Sequence, residues 1–238
     1  MSKFKPKGRK NIPDVLLQFG RHLVCSEGTK TEPYYIENIK KRIASKYKCE
    51  PNIIEIIPVN KNGESTNTIH LVNFAKKDVK KRLNRGENIN HVWIFFDKDD
   101  FPTSNFNSAN NAINSMNNSD NEVEENGFKF NKETGISWHS CYSNESFELW
   151  FLLHYNLITT KLNRKQYIEK LENIKQLKEI NFKYEKSKDN MFDIIINHGG
   201  NLNFAIKNAK KLCFENVNNN PSTAVYTFVE FFKNYMEL

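Results

Sequence analysis

Glycine and proline are scarce in this 238-residue chain, at 9 and 7 residues. That argues against a collagen-like or loop-dominated protein. Cysteine is scarcer still: Cys25, Cys49, Cys141 and Cys213 form no C-x-x-C pair and no Cys/His cluster of zinc-finger spacing, which speaks against a structural zinc site. The six histidines include no i,i+4 pair and no H-E-x-x-H. No G-x-G-x-x-G, Walker A loop, G-x-S-x-G or Ser-His-Asp order is visible, so dinucleotide binding, P-loop ATP hydrolysis and serine-hydrolase chemistry drop out. No apolar run reaches membrane-spanning length. The nearest, "FELWFLLHYNLI", is interrupted by Glu148 and His154. The opening "MSKFKPKGRK" lacks the apolar region of a signal peptide. A chain without membrane or export signals, with Cys25 and Cys141 set in apolar runs as small core residues, is expected in a reducing cytoplasm.

What is present is apolar mass and positive charge. The hydrophobic fraction is 38% and the aromatic fraction 13%, with 18 Phe and 9 Tyr, enough for a packed core in one large domain or a core with an appendage. The formal net charge is +7, which favours a polyanionic partner, nucleic acid first. Solvated lysine-rich helix faces are the plainer explanation.

Hydrophobic spacing orders the chain. "RHLVC" reads as a short buried strand and "SEGTKTEP" as a turn, with Thr31 placed to cap the next helix and Pro33 in its first turn. Ile36, Ile39 and Ile43 repeat at helical spacing, "NIIEIIPV" (52–59) is β-branched, and Ile69, Val72, Ala75, Val79 and Leu83 mark a second helix. "HVWIFF" follows as a strand dense enough to be covered on both faces. This β-α-β-α-β order predicts a parallel sheet flanked by helices. Residues 103–121 predict a poor helix decaying into the loop "NNSDNEVEENG", 135–143 a fourth strand, and "SFELWFLLHY" a buried helix. The remainder reads as helical, with Ser222 or Thr223 capping the last helix. The resulting division is a basic flexible arm (1–18), an α/β core (19–158) and a helical extension packed on it (159–238).

Ligands of open parallel sheets bind beyond the carboxyl ends of the strands. Glu27 lies just past the first strand, and Asp97, Asp99 and Asp100 end the third. Carboxylates held close together repel, and a divalent cation relieves that repulsion; Mg²⁺ takes oxygen ligands, typically one or two of them carboxylates. A polar loop capping the next helix is the alternative. Glu148 sits in a helix that is apolar all round and needs a hydrogen bond, a cation or a metal. Lys30 and Lys186 could meet a phosphate, although surface lysines are abundant. Asn144 precedes Glu148 at the end of the fourth strand, and His139 and His154 read as structural or supporting groups.

Five motifs carry a family resemblance across almost the whole chain. "LVCSEGTKTEPYYIENI" (23–39) resembles the C-E-G-x-x-T-E-x-x-Y opening of RloB-family proteins, with Ser26 standing between Cys25 and Glu27 where many members carry cysteine. "VWIFFDKDDF" (92–101), "YSNESFELWFLLHY" (142–155), "YEKS" (184–187) and "NPSTAV" (220–225) match its later motifs in order. The resemblance implies a TOPRIM-like fold. It assigns Glu27, Asp97 and Asp99 to a Mg²⁺ (or Mn²⁺) site, leaves Asp100 less defined, and places Glu148 in the family's own signature. It also implies a prokaryotic anti-phage defence setting, including abortive infection, and an ATPase partner of AAA or ABC type, with a homo-oligomer left open.

The expected activity is metal-dependent phosphodiester hydrolysis of DNA or RNA, including tRNA. Glu27, Asp97, Asp99, Glu148 and Lys186 would form the catalytic set, and Lys30 and Asn144 would contact substrate. The alternative is a non-catalytic effector or sensor that binds metal or a nucleotide and docks on the ATPase. A plain nucleic-acid-binding module ranks below both, because it has no need of acids at strand ends.

Overall fold

The computed structural model describes residues 20–48, 53–58, 68–99, 102–117, 122–125, 128–131, 133–213 and 220–236. The arm at 1–18, Cys49 and Asp100 lie outside them. Four parallel strands form the centre: β1 (His22–Ser26), β2 (Ile54–Pro58), β3 (His91–Asp97) and β6 (Ser137–Asn144), in the order β2-β1-β3-β6. β1 and β3 are neighbours, with His22 opposite His91 and Ser26 opposite Phe95. Helices α1 (Thr31–Tyr47), α2 (Thr68–Leu83) and α3 (Thr103–Asn117) link the strands.

The pleat sends alternate side chains into two apolar layers. Val24, Trp93, Phe95 and Cys141 enter one, together with Tyr35, Ile36 and Ile39 of α1. Leu23, Cys25, Val92, Ile94, Phe96 and Tyr142 enter the other, against Leu71, Val72 and Val79 of α2 and Phe106 and Ile113 of α3. All seven residues of β3 are therefore buried, which accounts for an unbroken apolar run where a half-exposed strand would alternate.

The first layer is completed by α4 (Glu148–Leu153), α5 (Arg164–Glu172), α6 (Lys175–Lys178), α7 (Met191–Asn197), α8 (Leu202–Cys213) and α9 (Val225–Phe232), with a 3-10 turn at Lys233–Tyr235. Trp150, Phe151, Leu177, Phe192 and Phe228 join the same cluster as β1 and β3. Among the described residues no helix is long and apolar enough to cross a membrane.

Three local expectations need correction. Ser222 and Thr223 form β7 (Ser222–Thr223), antiparallel to β6, because the ladder groups at the edge of β6 take a backbone partner there. Ala224 holds the N-cap position of α9, and Thr223 Oγ1 accepts only a long bond, 3.3 Å, from the Val225 amide. Thr31 is the first helical residue of α1; Lys30 holds the N-cap position, with no side-chain cap. Part of the expected loop after α3 is a hairpin, β4 (Glu122–Glu125) with β5 (Phe128–Asn131). The alternation in E-V-E and F-K-F is its short-range cause.

Candidate functional site

Trp93 and Phe95 point into the layer shared with the C-terminal helices. Asp97 has the same parity, so the pleat delivers its carboxylate to that side at the sheet's carboxyl edge. There the strand stops. The Lys98 amide donates to Ser143 O at 2.8 Å and the Asp99 amide to Glu145 O at 2.9 Å. Asp99 adopts φ 40, a left-handed conformation that aspartate tolerates better than most residues. This turn brings round a side chain that extended backbone would have sent the other way.

Both carboxylates meet one nitrogen. Arg164 Nη2 lies 2.7 Å from Asp97 Oδ2 and 2.8 Å from Asp99 Oδ1. Arg164 Nε donates to Glu148 Oε2 at 3.3 Å, and the Tyr184 hydroxyl donates to Glu148 Oε1 at 2.7 Å. Glu148, with 2% of its side chain exposed, is thus the buried acid with cationic and hydroxyl partners that its apolar helix demanded.

Glu27 enters from β1. Its amide donates to Phe95 O at 3.0 Å, and Ser26 Oγ donates to Gly28 O at 2.8 Å in the turn that follows. Its carboxyl accepts a backbone hydrogen bond from Asp97, while its Oε2 is buried without a hydrogen-bond partner. Burial, then Asp99 and Glu32, push the Glu27 carboxyl up to about 7. Burial pushes Glu32, in the first turn of α1, up to about 7 as well, with Glu148 adding to it and Arg164 and Lys186 opposing it. Gly28 makes room: a Cβ there would stand 2.2 Å from Glu32 Oε2.

Asp97 is raised well above the usual carboxylate range by burial and by Glu32, against the pull of Arg164. Asp99 is raised by burial, offset by Arg164 and Lys186. Burial works against the Arg164 charge, but Asp97, Glu148 and Asp99 outweigh it and keep the guanidinium protonated. The acids thus outnumber the cations that compensate them.

The structure brings together Glu27, Asp97, Asp99 and Glu148, with the exposed Lys186 close enough to act on Glu32 and Asp99. Lys30 is exposed at the start of α1, and Asn144 is buried at the end of β6 opposite Ser222. Among the described residues no three His, Cys, Asp or Glu side chains stand at metal-holding spacing; the acids converge on Arg164. Sequence reasoning missed Glu32, Arg164 and Tyr184. Glu32 and Tyr184 lie inside matched motifs and were within reach, whereas Arg164 lies in an ordinary lysine-rich helix with no local signal.

The histidines lie elsewhere. His139 stacks on Trp93 at 3.7 Å, and its Nε2 is 3.0 Å from His91 Nδ1, towards the opposite end of the sheet. Burial pushes His91 down to about 4 and His154 to about 3.

A family model described as RloB-like protein matches residues 22–232, from the first residue of β1 to the last of α9. No curated protein and no solved structure matches the chain.

Proposed function

The chain belongs to the RloB-like family, and from that premise we propose that it is a metal-dependent nuclease on a TOPRIM-like core, acting as an effector of anti-phage defence. The observation that carries the reading is the convergence of acids from separate segments, Glu27, Asp97, Asp99 and Glu148, at the carboxyl edge of a parallel sheet. That edge is where such sheets bind ligands. The buried, unbonded Glu27 Oε2 fits a cation.

Glu27, Asp97 and Asp99 would hold Mg²⁺ or Mn²⁺, although as they stand, with Arg164 on Asp97 and Asp99, the three are not at metal-holding spacing. The ion, when bound, supplies polarisation of a phosphodiester and a water of lowered pKa. The chain's own groups do the rest. Burial, Asp99 and Glu32 hold the Glu27 carboxyl near 7 before any ion is bound, so a cation taken up beside it would displace its proton. Tyr184 holds Glu148 in place through its 2.7 Å hydrogen bond. Lys186, exposed beside the acids, can meet a phosphate oxygen. Lys76, Lys77, Lys80 and Lys81 on α2 are exposed and suit a sequence-independent backbone track. The basic face of α1 is partly engaged, with Lys40 on Glu37 and Arg42 on Asp193.

Incubation with mixed DNA and RNA, tRNA included, tests the reading. Cleavage that needs Mg²⁺ or Mn²⁺, stops with EDTA and is abolished by Asp97→Ala is expected. Cleavage unaffected by Asp97→Ala would refute it.

A second reading has its own observation: Arg164 already pairs with both Asp97 and Asp99 without an ion. On that reading the chain is a non-catalytic effector or sensor, binding metal or a nucleotide and docking on a partner ATPase. Its signature is inertness towards every nucleic acid, alone and with the ATPase present.

A further inference from the structure

A cation already sits on the D-x-D pair. One nitrogen, Arg164 Nη2, is within 2.7 Å of Asp97 Oδ2 and 2.8 Å of Asp99 Oδ1, while Nε reaches Glu148 Oε2 at 3.3 Å. The guanidinium is reachable from solvent, with 29% of the Arg164 side chain exposed, whereas Asp97 retains 9% and Glu148 2%. Arg164 is also anchored by its backbone: it opens α5 inside the Asn163–Gln166 capping box, directly after the N-cap Asn163. Its reach into the acids therefore resides in the side chain, which can swing while the helix stays.

We propose that Arg164 is a built-in competitor of the divalent cation, pairing with Asp97 and Asp99 in the metal-free protein and releasing them when an ion binds. The inference rests on the metal-dependent reading above. Its physical basis is shared oxygens. Mg²⁺ takes carboxylate oxygens at ~2.1 Å in a near-octahedral shell, whereas a guanidinium claims the same lone pairs through directed N–H···O bonds. Two positive groups on one pair of acids repel, more strongly in a half-buried site than in water. Released, the planar fork of Arg164 matches a phosphodiester. Ion uptake and substrate capture would then be coupled through one side chain.

Mn²⁺ binding to the intact chain at pH 8, read by calorimetry and by electron paramagnetic resonance of the free ion, tests this. Arg164→Met keeps the stem and removes the charge, and it should bind Mn²⁺ about tenfold tighter than wild type or better. Arg164→Lys keeps the charge and loses the fork, and should fall between the two. It also carries the test if circular dichroism shows the Met variant unfolded. Variants that bind Mn²⁺ no tighter than a wild type that does bind it overturn the proposal and leave the metal reading standing. Absence of binding by all three proteins at millimolar Mn²⁺ overturns both.

Discussion

Glu32 is a buried acid resting against a glycine, and its protonation links the site to stability. Burial pushes its carboxyl from an ordinary value near 4.5 up to about 7. Between those pH values the folded chain holds a proton that the unfolded chain has lost. The stability this confers is full below about pH 4.5 and fades as pH rises through about 7. Glu32→Gln has no such proton to lose. Its stability relative to wild type should rise by about 1–3 kcal/mol between pH 5 and pH 8 without divalent ions. Urea titrations at the two pH values measure this, and a constant difference would show that Glu32 ionises normally. Legibility at this scale was uneven. Glu27 and Asp97 could be read because each ends a strand whose apolar pattern is local. Glu32 lies within the opening motif with no local sign of its chemistry, because nothing nearby in sequence announces that Gly28, Asp97 and Glu148 surround it.

Helix α5 shows how an element aims a residue. Asn163 Oδ1 accepts from the Gln166 amide at 3.0 Å, and Gln166 Oε1 accepts from the Asn163 amide at 3.0 Å. These reciprocal bonds set the first turn, and Arg164 is its first residue. Asn163→Ala should cost about 1 kcal/mol of stability, measured by denaturant midpoint. An unchanged midpoint would mean that tertiary contacts alone hold the start of the helix. The strands β1, β2, β3 and β6 and the long helices α1 and α2 were legible because each carries its own hydrophobic period. β7 was not: a two-residue strand has no period, and only the open edge of β6 makes Ser222 and Thr223 extended.

Across the whole molecule one cluster binds the sheet to the C-terminal helices. Phe228 of α9 is fully buried and meets Trp93 at 5.2 Å and Phe95 at 5.3 Å, ring centre to ring centre. Phe228→Ala should therefore destabilise the protein by about 3–5 kcal/mol. Tryptophan fluorescence and far-ultraviolet circular dichroism should report a single coincident unfolding transition. Two separated transitions would show that residues 159–238 fold as their own unit.

Periodicity along the chain was enough to order the strands and helices and to put acids at two strand ends, because burial of a strand or helix face is written in spacings of two to four residues. The meeting of Asp97, Asp99, Glu148 and Arg164 was written nowhere along the chain. Arg164 stands 67 residues from Asp97, and a contact over that separation exists only once the packed helices have chosen which side chains share a low-dielectric space.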